Sequence, residues 1–79
     1  MVTPQQIEQY ISQGLPCISL KVEGDGQHFE AIIVSPEFEG KSPIQRHQLV
    51  YKALGDRMRE EIHALSMKTY TPEQWAKLS

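Results

Sequence analysis

Two periods of apolar residues alternate along this chain, and they predict where helices and strands lie. The segment Thr3-Pro4-Gln5-Gln6 has the spacing of a helix start, with a capping threonine, a proline at the first helical position and a capping-box glutamine. Ile7, Tyr10 and Ile11 then recur at helical intervals. We expect this first helix to end at Gly14, because glycine commonly terminates helices.

A period of two follows, which is typical of strands with one buried face. The first run starts at Ile18, and the glycine-rich segment Gly24-Asp25-Gly26-Gln27 predicts a turn before the second run. The two runs therefore form an antiparallel hairpin. Their apolar positions are Ile18, Leu20, Val22, Phe29, Ala31 and Ile33.

Beyond Pro36 the spacing of apolar residues returns to the helical period. Ser42-Pro43 repeats the cap-then-proline start and opens a helix that we extend to about Met58. A third strand follows, with His63, Leu65 and Met67 on one face, and Thr71-Pro72-Glu73-Gln74 begins a short last helix. The predicted apolar arc of the second helix is Ile44, Val50, Tyr51, Leu54 and Met58.

The resulting order is α-β-β-α-β-α. A helical crossover favours a third strand parallel to the second, so the pattern predicts an α+β two-layer sandwich with a three-stranded mixed sheet. With 79 residues, the whole chain (1–79) is expected to form a single domain.

Composition narrows the function classes. A net charge of −2 argues against general nucleic-acid affinity, and one cysteine, Cys17, excludes an internal disulfide. The longest apolar run, Ala31 to Val34, is far too short to cross a bilayer, and the first residues resemble no signal peptide. We expect a cytoplasmic protein that does not contact membranes. No set of nucleophile, base and orienting residue is apparent, so we expect no enzyme.

Several spaced segments resemble the BolA family, and their sequences are most similar to its IbaG-like bacterial branch. The resemblance runs from about Ile18 to Trp75. The segments are Gly24-Asp25-Gly26-Gln27-His28-Phe29, Phe38-Glu39-Gly40-Lys41-Ser42-Pro43, Gln45-Arg46-His47-Gln48-Leu49-Val50-Tyr51, Ile62-His63-Ala64-Leu65-Ser66 and Thr71-Pro72-Glu73-Gln74-Trp75.

This resemblance implies a fold similar to class II KH domains and a partnership with monothiol glutaredoxins. In such pairs a [2Fe–2S] cluster is held by the glutaredoxin cysteine, glutathione and side chains of the BolA-like protein. The family's ligand histidine corresponds to His63, and a second ligand from the hairpin loop corresponds to His28. The chain alone is then expected to carry no cofactor and to be a monomer or a weak homodimer.

Other interpretations of the same residues stay open. His63 shares its predicted face with two apolar residues, which is equally typical of a packed histidine. Cys17 is the alternative second ligand, although lone cysteines are commonly buried. Some BolA-like proteins are associated with transcriptional control, so the alternative function is a DNA-binding regulator. Its predicted contacts are Lys41, Arg46 and Lys52, while Trp75 is predicted to help a protein partner dock.

Overall fold

The computed structural model describes residues 2–57, 62 and 64–78. Within these ranges a short 3-10 turn covers Pro36–Phe38, after the hairpin. The regular elements are α1 (Pro4–Gly14), β1 (Ser19–Gly24), β2 (His28–Val34), α2 (Pro43–Leu54), β3 (Ala64–Tyr70) and α3 (Pro72–Leu78).

The three described strands form one mixed sheet in the order β1-β2-β3. β1 pairs antiparallel with β2 from Ser19 opposite Val34, and β3 pairs parallel with β2 from Ala64 opposite His28. The predicted α+β class, element order and mixed sheet are therefore confirmed. The arrangement is compatible with the KH-like fold that the family resemblance implies.

Each of these helices begins with the same reciprocal pair of hydrogen bonds. A serine or threonine hydroxyl accepts from the backbone N–H three residues later, and the glutamine at that position accepts from the capping residue's own N–H. A proline at the first helical position has no backbone N–H, so no hydrogen-bond partner is required there. The pairs are Thr3–Gln6, Ser42–Gln45 and Thr71–Gln74.

The core lies between the helices and the inner face of the sheet. The predicted alternation in β2 is confirmed, because Phe29, Ala31 and Ile33 are all buried. The expectation for Ile18 is wrong, since this residue precedes β1 and is 64% exposed. The fully buried large hydrophobic side chains are Phe29, Phe38, Ile7, Ile11, Ile33, Leu54, Val34 and Val50.

The second helix differs from its prediction in length and in buried face. It ends at Leu54, where Gly55 takes a positive φ of 62°, whereas we expected it to reach Met58, which lies outside the described residues. Ile44 and Tyr51 are 71% and 41% exposed instead of buried. The buried face is rotated away from them because Leu49 and Ala53 also pack against the core.

Gly14 ends α1 as predicted, but for another reason. Its φ is not positive, and the residue instead lies where α1 meets α2. A Cβ at this position would lie 2.8 Å from Cβ of Ala53 and 2.9 Å from its Cα. Glycine is therefore needed for the close approach of the two helices rather than for a left-handed cap.

Candidate functional site

The hairpin end and the start of the third strand converge at His28. This histidine is the exposed first residue of β2, and the parallel register places it opposite Ala64, the first residue of β3. Ala64 follows His63 directly in the sequence. His63 itself lies outside the described residues, so its predicted role as a ligand stays a prediction.

Asp25 fixes the turn that carries His28. One oxygen of its carboxylate accepts the backbone N–H groups of Gln27 and His28, both at 2.9 Å. These hydrogen bonds, led by the one from His28, hold the pKa of Asp25 below its usual range. No role was predicted for Asp25 from the sequence, although aspartate in a glycine-flanked turn is a recognised signal for such side-chain caps.

Cys17 lies at the other end of the sheet from His28. The next residue, Ile18, donates its N–H to the carbonyl of Val34, the last residue of β2, at 2.8 Å. Six steps along β2 separate Val34 from His28, which is about 20 Å at the usual rise of a strand. The half-buried thiol donates to the carbonyl of Leu15 at 3.3 Å, and burial raises its pKa.

We expect Cys17 to alkylate slowly at neutral pH. Because the raised pKa leaves less thiolate than an ordinary thiol has, the rate with iodoacetamide will rise only at a more alkaline pH. The measurement is the alkylation rate across pH, followed by mass spectrometry. The urea-unfolded chain is the control and should show an ordinary thiol profile; identical folded and unfolded profiles would contradict the expectation.

No three histidine, cysteine, aspartate or glutamate side chains are grouped for metal binding within residues 2–57, 62 and 64–78. A metal centre built on the described residues would therefore need ligands from elsewhere. His28 is placed to offer one imidazole at the surface, but it has no such group around it.

Arg46, which was predicted to contact nucleic acid, makes hydrogen bonds to other parts of the same chain. Its guanidinium donates to the backbone carbonyls of Lys41 at 3.0 Å and Thr69 at 3.3 Å, and to Oε1 of Gln74 at 3.0 Å. It also lies over the ring of Phe38, 5.8 Å from the centroid. This side chain therefore joins the start of α2 to the end of β3 and to the cap of α3.

The other two predicted nucleic-acid contacts lie at opposite ends of α2. Lys41 precedes the helix and Lys52 is in its last turn, and both are exposed. Their predicted phosphate contacts stay predictions.

Trp75 packs against Tyr70, the last residue of β3. The half-buried indole lies 5.3 Å from the ring of Tyr70, between centroids, with the planes tilted by 49°. This contact orients α3 against the end of β3. The predicted part of Trp75 in partner docking is not tested by it.

Among the described residues, none of the helices has the length and apolar character required to span a membrane.

The sequence and the structure both match known proteins. The BolA-like protein model matches residues 12–74. The chain is 45% identical to Protein BOLA2 of Arabidopsis thaliana over 95% of its own length and 85% of that protein, and 37% identical to the acid stress protein IbaG of Escherichia coli over 91% and 87%. A BolA homologue from Coxiella burnetii superposes with a TM-score of 0.85 at 52% identity, covering 96% of this chain and 99% of that one.

Other relatives are longer. The chain spans 38% of mouse BolA-like protein 1, at 46% identity, and 50% of a Haemophilus influenzae protein named DNA-binding transcriptional regulator BolA, at 40% identity. The family model nevertheless covers most of the chain, and the solved Coxiella structure also matches nearly all of it. This chain belongs to the BolA-like protein family.

Proposed function

We propose that this chain is a non-enzymatic partner of monothiol glutaredoxins that helps to hold a [2Fe–2S] cluster for transfer or iron sensing. The observation that carries the proposal is the pairing of exposed His28 with Ala64, the neighbour of His63 in the sequence. The register thus brings His28 next to the residue that follows the second predicted ligand in the sequence. The glutaredoxin cysteine and glutathione would complete the ligand set.

The chemistry of the donors fits such a cluster. Imidazole is a good ligand for iron, and histidine ligation raises the reduction potential of a [2Fe–2S] centre. The turn around Asp25 contributes rigidity, because its carboxylate holds the backbone N–H of His28 at 2.9 Å. A ligand on a fixed strand end needs little reordering when a partner docks.

The same geometry favours His28 over Cys17 as the second ligand. Cys17 is half-buried at the Val34 end of the sheet, about 20 Å of strand away from His28. Its raised pKa also disfavours the thiolate that iron requires. We therefore assign the cluster to the His28 end.

The test combines the chain with a monothiol glutaredoxin carrying its cluster. We expect His28→Ala and His63→Ala to change the visible spectrum and to shorten the cluster lifetime by about tenfold or more, because even outer-sphere partners of metal ligands contribute about that much affinity. His47→Ala is the matched control, since it removes an imidazole from α2 rather than from the hairpin. Unchanged spectra and lifetimes in both variants would refute the ligand assignment, and failure of the wild type to associate would refute the partnership.

DNA binding is the second candidate, supported by the name of the Haemophilus influenzae relative, DNA-binding transcriptional regulator BolA. It fits less well, because the Arg46 guanidinium already donates to three internal oxygens and the net charge of the chain is −2. A DNA-binding chain should show affinity that falls steeply with salt. Lys41→Ala and Lys52→Ala should then weaken binding and lower that salt dependence.

A further inference from the structure

One side chain from elsewhere in the chain reaches each outer edge of the described sheet. At β1, the outward N–H of Val22 donates to the carboxylate of Glu8 on α1 at 2.9 Å. At β3, the outward carbonyl of Thr69 accepts from the Arg46 guanidinium at 3.3 Å. Exposed strand edges can pair with other chains, and charged side chains that occupy them prevent this.

Most of the β3 edge lacks such a cap. Because the Tyr70 carbonyl accepts from Ser35 next to β2, alternate residues of β3 face β2, and Leu65, Met67 and Thr69 direct their backbone groups outward. Across residues 2–57, 62 and 64–78, no hydrogen bond reaches the outward N–H and C=O groups of Leu65 and Met67. Four main-chain groups are left for an extended partner.

We propose that this edge pairs with the same edge of a second copy, antiparallel, on a two-fold axis at Ser66. In that register Leu65 of one copy lies opposite Met67 of the other, on both sides of the axis. An antiparallel pair of this kind exchanges two hydrogen bonds, so the four open groups of each chain are all satisfied. A two-fold interface of identical patches is the commonest form of homodimer.

The caps and charges of β3 disfavour the two registers that are centred further along the strand. An axis at Met67 would bring in the Thr69 carbonyl, which Arg46 already occupies. An axis at Lys68 would place two ammonium groups directly opposite each other, which is unfavourable. With the axis at Ser66, two small exposed hydroxyl side chains meet at the centre and each Lys68 faces an alanine, Ala64.

Amide hydrogen exchange, measured on the protein without any partner, tests the proposed hydrogen bonds of the β3 edge directly. As concentration rises, the amides of Leu65 and Met67 should become protected, while those of Ser66 and Lys68 should not change because they already face β2. Sedimentation equilibrium over the same range should show a monomer–dimer transition. A wild type that stays monomeric, or that dimerises without protecting Leu65 and Met67, would overturn the proposal.

Charge variants at the axis add a second test. Ser66→Lys and Ser66→Glu should each weaken dimerisation by roughly tenfold, because the introduced like charges face each other across the axis, whereas an equimolar mixture should recover it. Ser12→Lys is the matched control, since Ser12 is exposed on α1. Equal dimerisation of Ser66→Lys and Ser12→Lys would refute the register.

This edge begins beside the proposed cluster site, because Ala64 pairs with both His28 and, in the dimer, Lys68 of the second copy. If the proposed function holds, glutaredoxin and the second copy compete for the start of β3. The two proposals fail separately. His28→Ala should lose the cluster and keep the dimer, whereas Ser66→Lys should lose the dimer and keep the cluster.

Discussion

Replacing Phe29 by alanine is expected to lower the free energy of unfolding by about 3–5 kcal/mol. Phe29 is 1% exposed and lies in β2, the central strand, where its register partners are Gly24 on β1 and Leu65 on β3. The substitution removes a large buried ring and leaves a cavity that strands on both sides cannot fill. A chain of this size has a total stability of roughly 4–12 kcal/mol, so this loss is a large share of it.

Urea denaturation followed by circular dichroism measures this loss. Phe29→Leu should cost much less, because it keeps most of the buried volume. Ile44→Ala is the control for truncation of a large side chain, since Ile44 is exposed on α2 and the change should stay within about 0.5 kcal/mol of wild type. Equal losses for Phe29→Ala and Ile44→Ala would contradict the assignment of Phe29 to the core.

Gly24→Ala is expected to destabilise the protein by about 3 kcal/mol, at the upper end of the usual cost of overpacking. A Cβ at Gly24 would clash with the carbonyl oxygen of His28 and lie 3.0 Å from Cα of Phe29. Both are backbone atoms of the paired strand, so β1 and β2 must separate at the hairpin end. Chemical denaturation gives the loss, and the amide shifts of residues 25–29 should report the displacement.

Gly40→Ala separates this clash from the ordinary cost of replacing glycine. Gly40 has a φ of 75° and a Cβ there would meet nothing within 4 Å, so only the strain of a left-handed backbone, about 1–2 kcal/mol, is expected. If Gly24→Ala cost no more than Gly40→Ala, the close approach of the strands at Gly24 would be wrong.

Local features of the sequence were sufficient for much of the fold. A helix cap involves residues three positions apart, and strand alternation involves positions two apart, so both are visible in a short window. The helix starts at Thr3, Ser42 and Thr71 and the burial of Phe29 and Ile33 follow from such windows. The predicted arc of α2 was right for Val50 and Leu54, which are buried, and wrong for Ile44 and Tyr51. Leu49 and Ala53 pack against the core in their place.

Features that depend on distant residues could not be predicted. Arg46 reaches Gln74, 28 positions away, and Gly14 is required by a contact with Ala53 on another helix. The nearness of His28 to Ala64 depends on the register of a parallel pair, which no short segment encodes. The family resemblance, rather than the spacing of residues, suggested the two histidines, and only the register relates His28 to the start of β3.

The amide oxygen of Gln74 makes the last helix part of a larger cooperative unit. This one atom accepts both the N–H of Thr71, within the cap of α3, and the guanidinium of Arg46 on α2. Opening the cap therefore also removes an acceptor from the residue that holds the end of β3. A terminal helix of seven residues would ordinarily fray by itself. Here its opening also removes a hydrogen-bond acceptor from Arg46 on the second helix, although the two helices are far apart in the chain.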